Sequence, residues 1–259
     1  MKKALIDTHC HLYLEDFSAD LPDVMMRAAE EGVRRIYMPC IDSNHLKSML
    51  DLQKTFKDTC YSMLGLHPCY VRENYRDELE FMKQAIEKDQ FFAIGEIGLD
   101  YYWDRSYDDQ QMICFREQFD LAVQHDLPIV IHSRNSMDAC IQVLQEKKGN
   151  AVRGIFHCFS GTLTNAKDII DCGFMLGIGG VVTYKNAGLA EVVADIPLEH
   201  IVLETDAPYL TPVPFRGKRN ESSYLKYVLA KIAAVKNISE EEVAEITTAN
   251  ANSILRFTD

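Results

Sequence analysis

Residues 4–12 read Ala4-Leu5-Ile6-Asp7-Thr8-His9-Cys10-His11-Leu12: an apolar run that stops at a charge and closes on His-Cys-His. A run this short and this apolar has the marks of a buried parallel strand. Its last residues separate the two common parallel architectures. An open doubly wound sheet more often places a glycine-rich phosphate loop after its first strand. A pair of imidazoles there instead suits a barrel, whose strand ends gather on one face.

The same kind of run recurs down the chain. After Ala4–Thr8 come Arg35–Cys40, Tyr61–His67, Phe91–Ile97, Pro128–His132, Gly154–His157, Phe174–Gly179 and Ile201–Thr205, each closed by Gly, Pro, Asp, His or a small polar residue. Helical stretches alternate with them. Asp20–Gly32 ends on glycine. Ser43–Lys57 opens on a Ser cap, and Asp108–Asp126 sets Met112, Phe115, Phe119 and Val123 on one side at helical spacing. Asn135–Lys147, Leu163–Cys172 and Ala187–Ala194 continue the alternation, and Glu221–Lys236 and Ser239–Phe257 make a helical tail. Ser239 followed by Glu242 reads as a capping box. Eight such strands in 259 residues predict an α/β fold, a (β/α)₈ TIM barrel with C-terminal helices, spanning residues 1–259 as one domain. No linker or low-complexity tract divides the chain.

Composition bounds the function. With 27 Lys and Arg against 39 Asp and Glu, the formal charge is −12. That argues against broad electrostatic binding along a nucleic-acid backbone, which needs an extended basic face. It leaves room for a local basic pocket or for a site whose positive charge comes from metal ions. The 8 cysteines include no CxxC pair and lie in apolar stretches, as buried thiols of a reducing compartment would. The first apolar run is too short for a signal peptide, and no run nears the ~18 apolar residues of a membrane span. A cytoplasmic protein with no membrane association and no obligate protein partner is expected.

The chemistry lies at the strand ends. His9 and His11, two apart on a strand, point the same way, with Cys10 opposite. An HxH pair alone is a weak signal; repetition strengthens it. Glu96 ends the fourth strand, His132 the fifth, His157 the sixth and Asp206 the eighth. A barrel brings these ends to one face, and so many polar groups cannot be buried there without partners. Six donors exceed one tetrahedral zinc and suit two metals sharing a carboxylate, for which Glu96, between the first and fifth strands, is the natural bridge. Imidazoles favour Zn, Mn, Fe or Ni over Mg. His45, His125 and His200 fall in helices or connections and read as surface residues.

The motifs Asp7-Thr8-His9-Cys10-His11-Leu12, Gly65-Leu66-His67-Pro68, Gly95-Glu96-Ile97-Gly98-Leu99-Asp100-Tyr101-Tyr102, Ile131-His132-Ser133-Arg134, His157-Cys158-Phe159-Ser160-Gly161 and Glu204-Thr205-Asp206-Ala207-Pro208-Tyr209-Leu210 together resemble the TatD-like metal-dependent deoxyribonucleases, among the amidohydrolase-like barrels. The resemblance covers nearly the whole chain. It implies hydrolysis of DNA phosphodiesters, often from a 3′ end, at a two-metal site. It assigns His9, His11, Glu96 and Asp206 to one ion and Glu96, His132 and His157 to the other, with the ions Zn, Mn or Mg. One departure is Ser222, where relatives commonly carry proline after the Arg216–Glu221 segment.

In that reaction Asp206 is either a ligand only or also the base that deprotonates water. His67 either contacts the leaving group or a phosphate, or is held against Pro68. Arg134, Arg216, Lys218 and Arg219 can hold phosphates bidentately or as point charges, or form a solvated basic loop. Tyr101, Tyr102 and Trp103 can stack the bases of an unpaired or frayed DNA end, or pack a helix. The alternatives are an amidohydrolase or phosphotriesterase acting on a small ester or amide, many of which use a carboxylated lysine where this chain has Glu96, and a non-enzymatic metal-bearing scaffold.

Overall fold

The structure, a computed structural model, describes residues 4–149 and 152–255. Eight strands form: β1 (Leu5–Asp7), β2 (Val33–Pro39), β3 (Cys60–Met63), β4 (Ile94–Asp100), β5 (Ile129–Arg134), β6 (Gly154–Phe156), β7 (Phe174–Ile178) and β8 (Ile201–Leu203). Each sits on an expected run. All neighbouring pairs are parallel, in the orders β1-β2-β3 and β4-β5-β6-β7-β8. Parallel bridges between Leu64 and Ile94 and between Cys10 and Ala207 join the two sheets. At the second seam Thr8 N donates to Leu203 O at 3.0 Å and Asp206 N donates to His9 O at 2.9 Å. The ring is therefore closed, as a (β/α)₈ barrel requires.

The helices are α1 (Leu21–Glu30), α2 (Ser43–Thr55), α3 (Tyr75–Ile86), α4 (Asp108–Gln124), α5 (Met137–Glu146), α6 (Leu163–Asp171), α7 (Leu189–Asp195), α8 (Leu225–Lys236) and α9 (Glu240–Ile254). Four details differ from the expectations. The cap of α2 is Asp42, whose carboxylate accepts from His45 N at 3.0 Å, so Ser43 is already helical. Helix α3, unexpected, buries Leu79, Met82 and Ala85. On α4 Phe115 and Phe119 are buried as expected, but Val123 is 40% exposed, and Cys114, Gln118 and Ala122 complete the buried face. Ser239 Oγ accepts from Glu242 N at 3.1 Å, whereas a complete capping box forms at Thr162 and Asn165. The expected end of the last helix, Phe257, lies outside the described residues.

The core has two shells. Ile6, Tyr37, Tyr61, Val130, Ile155 and Val202 fill the barrel, packed with Ala251, Ile254 and Leu255 from the end of α9. Val130 and Ile155 stand two residues before His132 and His157, so one alternating face carries packing below and chemistry above. The larger shell lies between strands and helices. Each fully buried aliphatic side chain there contributes roughly 1.5–3 kcal/mol. Gly98 is needed between β4 and β5: its φ is +139°, and a Cβ would meet His132 O at 2.1 Å. Among the described residues no helix is long and apolar enough to cross a membrane. All eight cysteines are free, and Cys10, Cys40, Cys60, Cys114 and Cys140 are buried.

Candidate active site

The strand ends meet in a cavity of about 660 Å³ whose lining includes His11, His67, Glu96, His132, His157 and Asp206. His9 lies beneath, fully buried, its ring stacked on His157 with centroids 3.5 Å apart. All six expected metal donors thus converge. Glu96 is at the centre, and its two oxygens face different partners. Oε2 lies 3.1 Å from His9 Nε2 and 3.6 Å from His11 Nε2. Oε1 lies 2.8 Å from His132 Nδ1 and 3.4 Å from His157 Nε2. Asp206 Oδ1 stands 3.6 Å from His11 Nε2 and 3.8 Å from His9 Nε2. Asp206 is carried on a left-handed backbone, φ 55°, an arrangement that costs a non-glycine residue about 1–2 kcal/mol.

Hydrogen bonds behind the rings decide which nitrogens carry protons. Tyr13 donates its hydroxyl to Pro39 O at 2.6 Å, so the 3.0 Å contact with His11 Nδ1 must be donated by the ring. That leaves a lone pair on His11 Nε2, facing inward. Asp100 Oδ2 accepts from His132 Nε2 at 2.9 Å and leaves Nδ1 facing Glu96. Glu204 Oε1 stands 3.1 Å from His157 Nδ1, an ion-pair contact without hydrogen-bond geometry, and Nε2 faces inward. Such carboxylate–imidazole pairs are how proteins orient histidine ligands. Gly177 makes room for Glu204, since a Cβ there would lie 2.2 Å from Oε2. Asp100 and Glu204 were not among the residues expected at the site. The signal was present: Glu96 and Asp100 share strand parity, and Glu204 stands two residues before Asp206.

His67 has the opposite polarity. Its Nδ1 accepts from Cys69 N at 3.0 Å, so the neutral ring carries its proton on Nε2, 3.3 Å from Glu96 Oε1. It is placed to donate and cannot serve as a metal ligand or a base through Nε2. Burial and neighbouring charge pull these groups in opposite directions. Burial alone would raise the Glu96 carboxyl, but the surrounding imidazoles of His67, His9 and His157 hold it well below its usual range. Burial would raise Asp206 as well, but the imidazoles of His11, His157 and His9 together hold it below its usual range. Burial would lower His157, but Glu204 and Glu96 push it up to about 10. His132 is raised against burial by its bonds to Asp100 and Glu96, while His67 is lowered by burial despite Glu96.

Inward nitrogens of three imidazoles, which become donors once deprotonated, and two facing carboxylates fit a divalent cation. Geometrically compact donor groups include His9, His11 and Asp206, and His9, Glu96 and His157. A third, His67 with Glu96 and His132, is weakened by the proton on His67.

The expected substrate residues divide. Trp103, 66% exposed, lines the cavity, and Tyr102 lies under the Arg134 guanidinium at 3.9 Å from its ring centre. Tyr101 is instead packed on the core, with Arg105 over its ring. Arg219 is spent on Asp20, with bonds of 2.7 and 2.8 Å, and lies over Phe17. Paired in this way, it does not line the cavity. Arg216 lies over Tyr184 and Lys218 over Phe215, and neither lines the cavity. Tyr70, Tyr209 and Leu210, not expected, form apolar parts of its wall. Ser222 is fully buried, and its hydroxyl donates to Asp7 Oδ2 at 2.7 Å. Asp7 also accepts from Thr205 N and Oγ1 at 2.9 and 2.6 Å, tying β1 to the segment that carries Asp206. The serine thus anchors this corner. His45 is half-buried against Asp42, His125 is 3.8 Å from Glu87, and neither lines the cavity.

The chain is similar to known proteins along nearly its whole length. YabD of Bacillus subtilis, named an uncharacterized metal-dependent hydrolase, is 42% identical over 98% of this chain and 99% of its own. The crystal structure of YjjV, a TatD homolog from Escherichia coli, superposes with a TM-score of 0.93 at 31% identity, covering 100% of both chains. That of a TatD family hydrolase from Entamoeba histolytica does so at 0.85 and 25% identity, also over 100% of both. The model of the TatD related DNases matches residues 6–256. The chain belongs to this family of metal-dependent hydrolases.

Proposed function

We propose that this hydrolase trims unpaired DNA ends, from the 3′ side, with two divalent ions. His9, His11, Glu96 and Asp206 would hold one ion, and Glu96, His132 and His157 the other. The observation that carries the reading is the division of Glu96, whose Oε2 faces the first set of imidazoles and Oε1 the second. The imidazole-rich donors suit Zn or Mn better than Mg. When bound, such ions lower the pKa of water and offset charge on phosphoryl oxygens.

The chain's own groups do the rest. Asp206 takes the proton of the attacking water. His67 Nε2–H, locked as a donor by Cys69 N, hydrogen-bonds a phosphate or leaving-group oxygen. Arg134, over Tyr102 and Trp103, pairs with a neighbouring phosphate, and the aromatic wall receives a base. The cavity, about 660 Å³, has room for an unpaired nucleotide. Among the described residues no lysine lines it, which disfavours the carboxylated-lysine chemistry of the small-ester and amide hydrolases.

With metal supplied, short single strands should be shortened stepwise, while a closed circular duplex stays intact. Rapid linearisation of the circle without trimming of short strands would contradict end trimming. Proton release offers a second check. His132 and His157 are both raised in the metal-free site, so their protons must leave when ions bind. Titration calorimetry in buffers of different ionisation enthalpy should show about one proton or more released per chain, with affinity falling as pH is lowered. Buffer-independent heats would contradict this.

A further inference from the structure

Asn220, in the segment after β8, is fully buried and does not line the cavity. Its donors are all spent on the turn that carries Asp206. Nδ2 donates to Thr205 O at 2.8 Å and to Tyr209 O at 2.7 Å, and the backbone N donates to Pro208 O at 3.0 Å. These carbonyls stand on both sides of Asp206 in the chain. Oδ1 accepts from Glu221 N at 2.9 Å, so rotating the side chain would break bonds at both ends of the amide. The residues flanking Asn220 are fixed from outside. Arg219 donates to Asp20, the cap of α1, at 2.7 and 2.8 Å, and Glu221 accepts from Arg27 of α1 at 2.8 and 2.6 Å.

The turn needs such a clasp. Asp206 and Leu210 both have left-handed backbones, with φ of 55° and 51°. A non-glycine residue stays in that region only where its surroundings over-determine it. The backbone of Asp206 has two bonds of its own, its N donating to His9 O at 2.9 Å and its O accepting from Tyr209 N at 2.8 Å. Asn220 ties down the residues before and after. We infer that Asn220 is a positioning residue: it holds the turn in the conformation that aims the Asp206 carboxylate at His9 and His11, and through that carboxylate it sets both ion binding and proton transfer. This rests on the reading of Asp206 as a group of the metal site.

Strand β8 supplies a matched control. Asn250, on α9, makes the same bracket at the opposite end of β8: it is buried, and its Nδ2 donates to Leu198 O at 2.9 Å and to Ile201 O at 2.8 Å. Asn220→Ser and Asn250→Ser thus delete the same kind of buried bonds, one pair beside Asp206 and the other away from the cavity. The test measures melting temperature, Zn binding to the metal-free protein, and kcat and KM of the Zn-saturated protein on a short single strand. Asn220→Ser should lower kcat by about 10–100-fold with KM within about twofold, and should weaken the ion held by Asp206 by about tenfold. Asn250→Ser should lower the melting temperature comparably while leaving kcat and Zn affinity within about twofold. Should Asn220→Ser not fold, Asn220→Asp, which keeps the size and the acceptor for Glu221 N, is read in the same way. Losses that track melting temperature equally in both variants, an Asn220 variant with unchanged kcat and Zn affinity, or failure of both Asn220 variants to fold while Asn250→Ser folds, overturns the inference. Asp206→Asn, measured alongside, separates the two readings. If it leaves kcat unchanged, the reading of Asp206 fails; if it lowers kcat and Asn220→Ser does not, this inference alone fails.

Discussion

Asp206→Asn is expected to lower turnover of single-stranded DNA by about 10²–10⁴, the usual worth of a positioned general base, while retaining much of the bound metal. Asp206 Oδ1 stands 3.6 Å from His11 Nε2, and an amide oxygen at that place still coordinates weakly. What the amide cannot do is accept a proton, so the acidic limb of the pH–rate profile should vanish. No neighbour replaces it: His67 has its Nδ1 committed to Cys69 N and presents a proton, not a lone pair. His132→Ala should behave differently. It strips Glu96 Oε1 and Asp100 Oδ2 of bonds of 2.8 and 2.9 Å, so metal occupancy falls first and activity with it, and added metal partly restores the rate. Occupancy and turnover measured on the same samples separate the two. If Asp206→Asn loses metal in proportion to activity and excess metal restores both, Asp206 is a ligand only.

Removing the metal should abolish activity and lower stability together. Glu96, Asp100 and Glu204 are all buried at the site, and so are His9, His11 and His157. A cation bound only by the folded chain stabilises it by about 2.7 kcal/mol at a hundredfold excess over its Kd. In a domain of this size that corresponds to a Tm higher by about 5–10 °C. Calorimetry of metal-free and reconstituted protein checks this. Equal melting temperatures would mean that the converging donors do not hold a cation.

Much of this site could be read before the structure because strand ends of a barrel are forced together. His9, His11, Glu96, His132, His157 and Asp206 each close an apolar run, and the fold alone makes them neighbours. The residues behind them were harder to see. Asp100 and Glu204 act through contacts with His132 and His157, and nothing in an isolated segment distinguishes an orienting carboxylate from a solvated one. Arg219 shows the same limit: nothing in its basic loop announces Asp20, distant in sequence, with which it pairs. Helix α3 was missed because its buried face is sparse, with Leu79, Met82 and Ala85 among charged neighbours that include the buried Glu78. Ser43 looked like a cap because the helix start signal does not fix the residue, and Asp42 one place earlier takes the role.

The most direct test is to titrate metal-free protein with Zn or Mn while tracking both bound ion and the shortening of a 3′-labelled single strand. Cleavage should be absent without metal, and should rise to its plateau as occupancy reaches two ions per chain, with Glu96 between them. Full cleavage by thoroughly demetallated protein, or a plateau already reached at one ion per chain, would contradict the two-ion site.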